Sequence, residues 1–325
     1  MRARANLLVI VLLGACVVTT AQDSLQLRVD VQLVTVDAYV DDAAGKPLTT
    51  LTRGDFAILD NGEPREIQTF DSAENPYNIL LLFDRSSSTE SQWPFLVRAI
   101  SRFLAQLPEQ HRVALAAFDD KPEMLLDWRS AQELTRRSFN IPSNNSGTNV
   151  YRAVEWAIQE LRGVKGRKGV IVFTDGVDNR LSQKLVSFDK SGTPSVAPPE
   201  ADNDFQKMLR LVTQNGAPVF FVAVNTDRNP DPRSPPNSFD LKQRQAARIR
   251  MEAVAGQSNG AIHFPKQIED VGSLYERIGR ELGYAYSLGF APGKGASNNP
   301  YHRIEIRVRD KSMRVTQLRQ EYYAR

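Results

Sequence analysis

Two carboxylates and three hydroxyls fall at places in this sequence where they could hold a hard cation. Asp84-Arg85-Ser86-Ser87-Ser88 sets a carboxylate and two hydroxyls at i, i+2 and i+4, directly after the apolar run Ile79 to Phe83. Such a run is expected of a parallel strand buried on both faces. Ser146-Gly147-Thr148-Asn149 precedes a helical pattern that starts at Val150, and Asp175-Gly176 ends a second apolar run, Val170 to Thr174. In open α/β sheets ligands bind at the carboxyl edge of the strands, and all three segments belong to that edge. An all-oxygen set of Asp84, Ser86, Ser88, Thr148 and Asp175 suits Mg²⁺, with Mn²⁺ or Ca²⁺ as alternatives. Five protein oxygens leave a six-coordinate Mg²⁺ with open or water-filled positions. An ion so under-neutralised can accept a carboxylate from another molecule, which makes this a binding site and not a closed structural one.

Each segment also has a plainer reading. Ser88 could cap the helix ahead, Thr148-Asn149 could cap the helix at Val150, and Asp175-Gly176 alone is a turn. Three separate caps, each at the expected place between elements, explain the pattern less well than one site.

The elements that must position these residues alternate along the chain. Helical spacing covers Trp93 to Leu107, Val150 to Leu161, Phe205 to Val212, Arg244 to Ala255 and Val271 to Leu282. Apolar strands are expected at Ile79–Phe83, Val113–Phe118, Gly169–Thr174, Pro218–Val224 and Ala261–Phe264. This predicts an α/β fold, a doubly wound and mostly parallel sheet, over residues 77–283. Ser182–Asn203 and Asn225–Phe239, rich in Pro, Ser and Asn, read as surface insertions. Residues 24–76 read as β structure: period-two alternation with a phase flip before Val34, then a hairpin joining Phe56 and Ile58 to Ile67 and Phe70 through Asp60-Asn61-Gly62. Alternation returns at Tyr286, Leu288, Phe290 and at Ile304, Ile306, Val308, so 284–325 is expected to pair with 24–76 as a small β-sandwich-like module.

Asp-x-Ser-x-Ser, the distant Thr148 and the Asp175-Gly176 after a buried strand together resemble the von Willebrand factor type A family, over about residues 77–283. In that family this set is the metal-ion-dependent adhesion site. The resemblance implies that Ser86, Ser88 and Thr148 ligate directly while Asp84 and Asp175 act largely through waters. Asp55-Phe56-x-Ile58-x-Asp60-Asn61-Gly62 and Gln320-Glu321-Tyr322-Tyr323-Ala324 in the flanks resemble exported von Willebrand-type proteins of Acidobacteria.

Composition narrows the function classes. The 325 residues are 41% hydrophobic and 24% charged, enough for a proper core and against wholesale disorder. A formal charge of +3 is too small for a nucleic-acid footprint. One cysteine excludes an internal disulfide framework and a cysteine-built zinc site. Ser187-Phe188-Asp189-Lys190 and the overlapping Lys190-Ser191-Gly192 mimic penicillin-enzyme motifs, but in one loop they cannot face each other across a cleft. No catalytic residue is assigned, and the chain is expected not to be an enzyme. His111 reads as a surface or helix-end residue, His263 as core, Asp178 as solvent-exposed with a water-mediated supporting role beside Asp175 as the alternative, and Arg162–Lys168 and Arg244–Arg250 as a turn and a solvated helix face.

The first residues read as an export signal: Arg2 and Arg4, an apolar run from Leu7, then a polar exit after Val18. Cleavage after Ala21 gives a leader of residues 1–21. Leu13-Gly14-Ala15-Cys16 is the alternative, with a lipid anchor on Cys16. The mature chain is expected to lack a transmembrane helix and to reside in the periplasm, cell envelope or outside the cell. The competing functional reading is an envelope scaffold that docks a fixed partner without metal.

Overall fold

The computed structural model describes residues 33–323, apart from 87–88, 90–92, 137–146, 180, 182–183, 191, 216, 225–238, 259, 267–268 and 294–300. The leader and Cys16, the first part of the N-terminal alternation with its phase flip, Ser88 and Ser146 lie outside the described residues.

The N-terminal strands are β1 (Val34–Asp41), β2 (Phe56–Asp60), β3 (Glu63–Arg65) and β4 (Ile67–Asp71). In β1 the alternating set Val36, Ala38 and Val40 is fully buried. Asn61 and Gly62 both have positive φ, 52° and 86°, as a two-residue hairpin turn requires, and Asp60 pairs with Glu63. The hairpin therefore closes on β3. The segment with Ile67 and Phe70, expected as the second arm, instead crosses to another sheet as β4. Pairing with β2 stops at Ile58 and Arg65, and after Glu66 the chain leaves for the other sheet.

From Tyr77 the chain alternates strand and helix. In order come β5 (Tyr77–Asp84), α1 (Trp93–Gln106), β6 (Arg112–Phe118), β7 (Pro122–Ser130), α2 (Ala131–Thr135), α3 (Val150–Glu160) and β8 (Arg167–Thr174). They are followed by β9 (Val186–Phe188), β10 (Pro194–Val196), α4 (Asn203–Asn215), β11 (Val219–Ala223), α5 (Phe239–Ser258), β12 (Ile262–His263) and α6 (Asp270–Gly283). The six-stranded sheet runs β12-β11-β8-β5-β6-β7, parallel except for β7 at its edge. Every residue of β5 is buried. Ile79, Leu81 and Phe83 pack in one core with side chains of α1 and α6, while Leu80 and Leu82 pack in another with α3, α4 and α5. Helices on both faces explain why the run is apolar throughout, each such side chain contributing about 1.5–3 kcal/mol on burial. Asn78 is tolerated there because its Nδ2 donates to the carbonyls of Lys165 (3.1 Å) and Arg167 (3.0 Å). Two readings change. The segment 182–203 is not all loop, since it carries the β9–β10 hairpin, and α5 begins at Phe239, ahead of the expected Arg244.

After β5 the chain moves to β6 on one side and later returns to β8 on the other. The strand order reverses between β5 and β8, so a crevice opens at their carboxyl ends.

The last strands, β13 (Ala285–Phe290), β14 (Tyr301–Val308), β15 (Arg314–Gln317) and β16 (Glu321–Tyr323), rejoin the first ones. Sheets β15-β1-β13-β4 and β16-β14-β2-β3 face each other over a shared core of Val36, Ala38, Ile58, Leu288, Phe290 and Ile304. This is a β-sandwich built from both chain ends. Asp60, buried within it, accepts from Tyr322 Oη (2.9 Å) and the Gly293 amide (3.0 Å) and lies 2.7 Å from His302 Nδ1.

Polar groups join the sandwich to the α/β domain. Tyr77 Oη donates to Asp37 Oδ2 (3.2 Å), Ser287 donates to Asp37 Oδ1, and Arg167 Nε donates to Ser287 Oγ (3.0 Å). The Arg167 guanidinium also stacks 4.6 Å from the Tyr77 ring centroid. Arg167 is thus a buried joint and not part of a solvated basic turn.

His111 is likewise fully buried, contrary to its surface reading. Its Nδ1 accepts from the Tyr77 amide (3.3 Å) and its Nε2 faces the Gly283 carbonyl (2.7 Å), which fixes a neutral ring with the proton on Nε2. Burial, with a smaller contribution from the Arg167 charge, holds its pKa below the ordinary histidine value. Burial and then the Arg277 charge lower His263 to about 4. The unfolded chain therefore takes up protons first, near pH 6.5, and stability present above that pH is lost as pH falls through the window down to the folded values. In denaturant melts between pH 7.5 and 5, His111→Gln is expected to lose less stability on acidification than wild type, because one group that takes up its proton on unfolding is gone. Equal losses would mean that the His111 ring is not held neutral.

Candidate metal centre

Asp84 ends β5 and Thr174 ends β8, and the parallel pairing of Phe83 with Phe173 sets them side by side at the switch point. Thr174 Oγ1 donates to Asp84 Oδ2 (2.6 Å), and the Ser86 amide donates to Asp84 Oδ1 (3.0 Å). Thr89 Oγ1 and Trp93 Nε1 donate to the Asp84 carbonyl, at 2.7 and 3.3 Å, closing the turn into α1. Beyond β8, the Val177 amide donates to Asp175 Oδ1 (3.0 Å), and Gly176 turns the chain with φ 76°. Gly176 is needed for its positive φ, while the atom nearest an added Cβ would be Cε of the flexible Met251 side chain, at 2.6 Å.

Asp84, Ser86, Thr148 and Asp175 are all buried. Burial, followed by the negative charge of Asp175, raises the Asp84 carboxyl well above the ordinary carboxylate range. Two desolvated carboxylates that oppose each other's ionisation, beside hydroxyl oxygens, are a set that a divalent cation would stabilise. Among the described residues no three His, Cys, Asp or Glu side chains gather as metal ligands, so a cation at this edge would depend on hydroxyl oxygens.

The third segment reaches the same edge. Asn149 caps α3, its Oδ1 accepting from the Arg152 amide (3.1 Å), so the capping reading holds for Asn149. Thr148, one residue earlier, accepts at its carbonyl from the Asn179 amide (2.8 Å), which ties it to the Asp175 loop. Ser88 lies outside the described residues.

Several residues around these loops were not assigned to the site from the sequence. Thr174 read only as a strand end. Asp178, read as exposed, is fully buried and its Oδ2 lies 3.4 Å from the Tyr151 amide at the start of α3. Arg85 and Asp119 form a buried ion pair of 2.8 Å, and Arg85 also reaches Glu123 (3.0 Å). Arg250, read as part of a solvated helix face, is buried 3.6 Å from Asp202.

Residues 79–177 match the family model described as the von Willebrand factor type A domain. Those residues carry a von Willebrand factor type A domain. The match spans Asp84, Ser86, Thr148 and Asp175, and the sheet continues past it through β11 and β12. None of the curated proteins matches the chain. Solved structures similar to it include an aerotolerance-related membrane protein from Bacteroides fragilis, at 15% identity and TM-score 0.43, covering 63% of this chain and 98% of that one. A von Willebrand factor type A structure from Catenulispora acidiphila has 12% identity and TM-score 0.46, over 83% of this chain and 73% of that one. Proximal thread matrix protein 1 from the mussel byssus, with a zinc-occupied MIDAS motif, has 14% identity and TM-score 0.46, over 69% and 49%. Among the described residues of the type A domain and its flanks, no helix is long and apolar enough to cross a membrane.

Proposed function

We propose that the type A domain, residues 77–283, is a cation-dependent protein-binding module of an exported adhesion or assembly protein. The observation that carries this reading is the pair of buried carboxylates, Asp84 and Asp175, set with hydroxyl oxygens where the strand order reverses. Ser86, Ser88 and Thr148 would hold Mg²⁺ directly, with Asp84 and Asp175 acting largely through waters. The ion supplies a positive charge only partly neutralised by the chain, and so a place for an acidic side chain of a partner protein. Asp84 is fixed by Thr174 and by the Ser86 amide, so it adds negative charge without having to reorganise. The role is binding without turnover. The sandwich of 24–76 with 284–325 spaces this head from its attachment, and the N-terminal basic and apolar pattern supports export, through a cleaved leader or a lipid on Cys16.

Calorimetric titration of Mg²⁺ into the intact chain tests the reading. Saturable binding near one ion per chain, reversed by EDTA, is expected. Absence of binding would favour a metal-independent scaffold.

A further inference from the structure

We propose that the buried Arg85–Asp119 ion pair is the positioning element that holds the three loops of the cation site in register. The inference rests on the metal-site reading above and adds to it residues that ligate nothing. Arg85 sits between Asp84 and Ser86, yet its side chain turns away from solvent, and its Nε donates to Asp119 Oδ2 (2.8 Å). Its amide donates to the Phe118 carbonyl (2.9 Å), extending the β5–β6 pairing by one step beyond the strands. Asp119 is therefore a hub. Its Oδ1 accepts from the Lys121 amide (3.0 Å), and its carbonyl accepts from the Asn149 amide (2.9 Å), next to Thr148.

The chain of contacts continues into the Asp175 loop. The Asn179 amide donates to the Thr148 carbonyl (2.8 Å), and Asn179 Nδ2 donates to Asp120 Oδ1 (3.1 Å). Gly147 permits this approach, because a Cβ there would lie 2.0 Å from Asn179 Nδ2. Asp84-Ser86, Thr148 and Asp175 come from segments far apart in sequence, and the route Arg85–Asp119–Asn149/Thr148–Asn179 links all three. A cation needs its ligands placed to within fractions of an ångström, and groups behind the ligands commonly govern affinity by 10–100-fold. Pairing also occupies Asp119, a carboxylate at the same sheet edge, so that Asp84 and Asp175 remain the acidic pair of the site.

The test compares wild type, Arg85→Lys, Arg85→Met and the double variant Arg85→Met/Asp119→Leu, all in the full chain. Mg²⁺ affinity is measured by calorimetry, and amide hydrogen exchange of the cation-free protein is followed at Asn149 and Asn179. Arg85→Met is expected to lose at least about tenfold in Mg²⁺ affinity and to exchange faster at both amides, with Arg85→Lys in between. The double variant leaves no unpaired buried charge, so it is expected to regain thermal stability while Mg²⁺ affinity stays down. A double variant that binds Mg²⁺ as wild type does would show the pair to be structural only. Should wild type bind no Mg²⁺, the metal-site reading falls. The exchange data then decide the positioning claim, with faster exchange at Asn149 and Asn179 in Arg85→Met supporting it and unchanged exchange overturning it.

Discussion

Asp84→Asn is expected to lower Mg²⁺ affinity by more than roughly 100-fold while leaving the cation-free protein as stable as wild type or more so. The two halves of this result have one cause. Asp84 is fully buried and its carboxylate is opposed by Asp175, so without a cation its charge is unfavourable to the folded state. Asparagine keeps the shape and the acceptor for the Ser86 amide. Its Nδ2 meets Thr174 Oγ1, a hydroxyl that can accept as well as donate. What disappears is the negative charge that the ion needs. Calorimetry gives the affinity and thermal melts in EDTA give the stability. Unchanged affinity would remove Asp84 from the site, and a large loss of stability would mean that the carboxylate serves the fold and not a cation.

Gly260→Ala is expected to cost about 3 kcal/mol or more, lowering the melting temperature by roughly 10 °C. Gly260 lies between α5 and β12, where the chain crosses directly over β11. A Cβ there would lie 2.0 Å from the Val219 carbonyl oxygen and 2.5 Å from its carbon. These are backbone atoms of a buried strand and cannot swing aside as a side-chain tip would. Relief requires β12 to leave β11 or β11 to shift against β8, and β8 carries Thr174 and the Asp175 turn. Gly256→Ala is the control, since in α5 nothing lies within 4 Å of its added Cβ. There alanine is expected to be neutral or to stabilise by up to about 1 kcal/mol through helix propensity. A Gly260→Ala protein as stable as wild type would contradict the close crossing.

The parts of this molecule that were legible in sequence share one property, that a single segment carries the signal. The run Ile79–Phe83 announces a strand covered on both faces, and the position of Asp84 at its end follows. Asn61-Gly62 announces a tight turn. The sequence around Thr148 and Asp175 reads as strand-to-helix loops of one sheet edge, where the Ser86 amide bonds to Asp84 and the Asp175 charge acts on it. The parts that were not legible depend on partners distant in sequence. His111 is buried because Tyr77 and Gly283 satisfy both ring nitrogens. Arg167 is buried because Ser287 and Tyr77 receive it. Arg85, to which the sequence reading assigned no role, is buried because the end of β6 brings Asp119 to it. The second arm of the hairpin was misjudged for a related reason, since alternation tells which face a residue takes and not which sheet a strand joins.

Calorimetric titration of Mg²⁺ and then Mn²⁺ into the intact wild-type chain, followed by acetate as a carboxylate probe, is the most direct measurement. The account predicts saturable binding near one ion per chain, lost on chelation, with acetate binding only to the cation-loaded protein. Absence of binding by either cation would contradict it, and Asp84, Ser86, Thr148 and Asp175 would then be turn and cap residues of a scaffold.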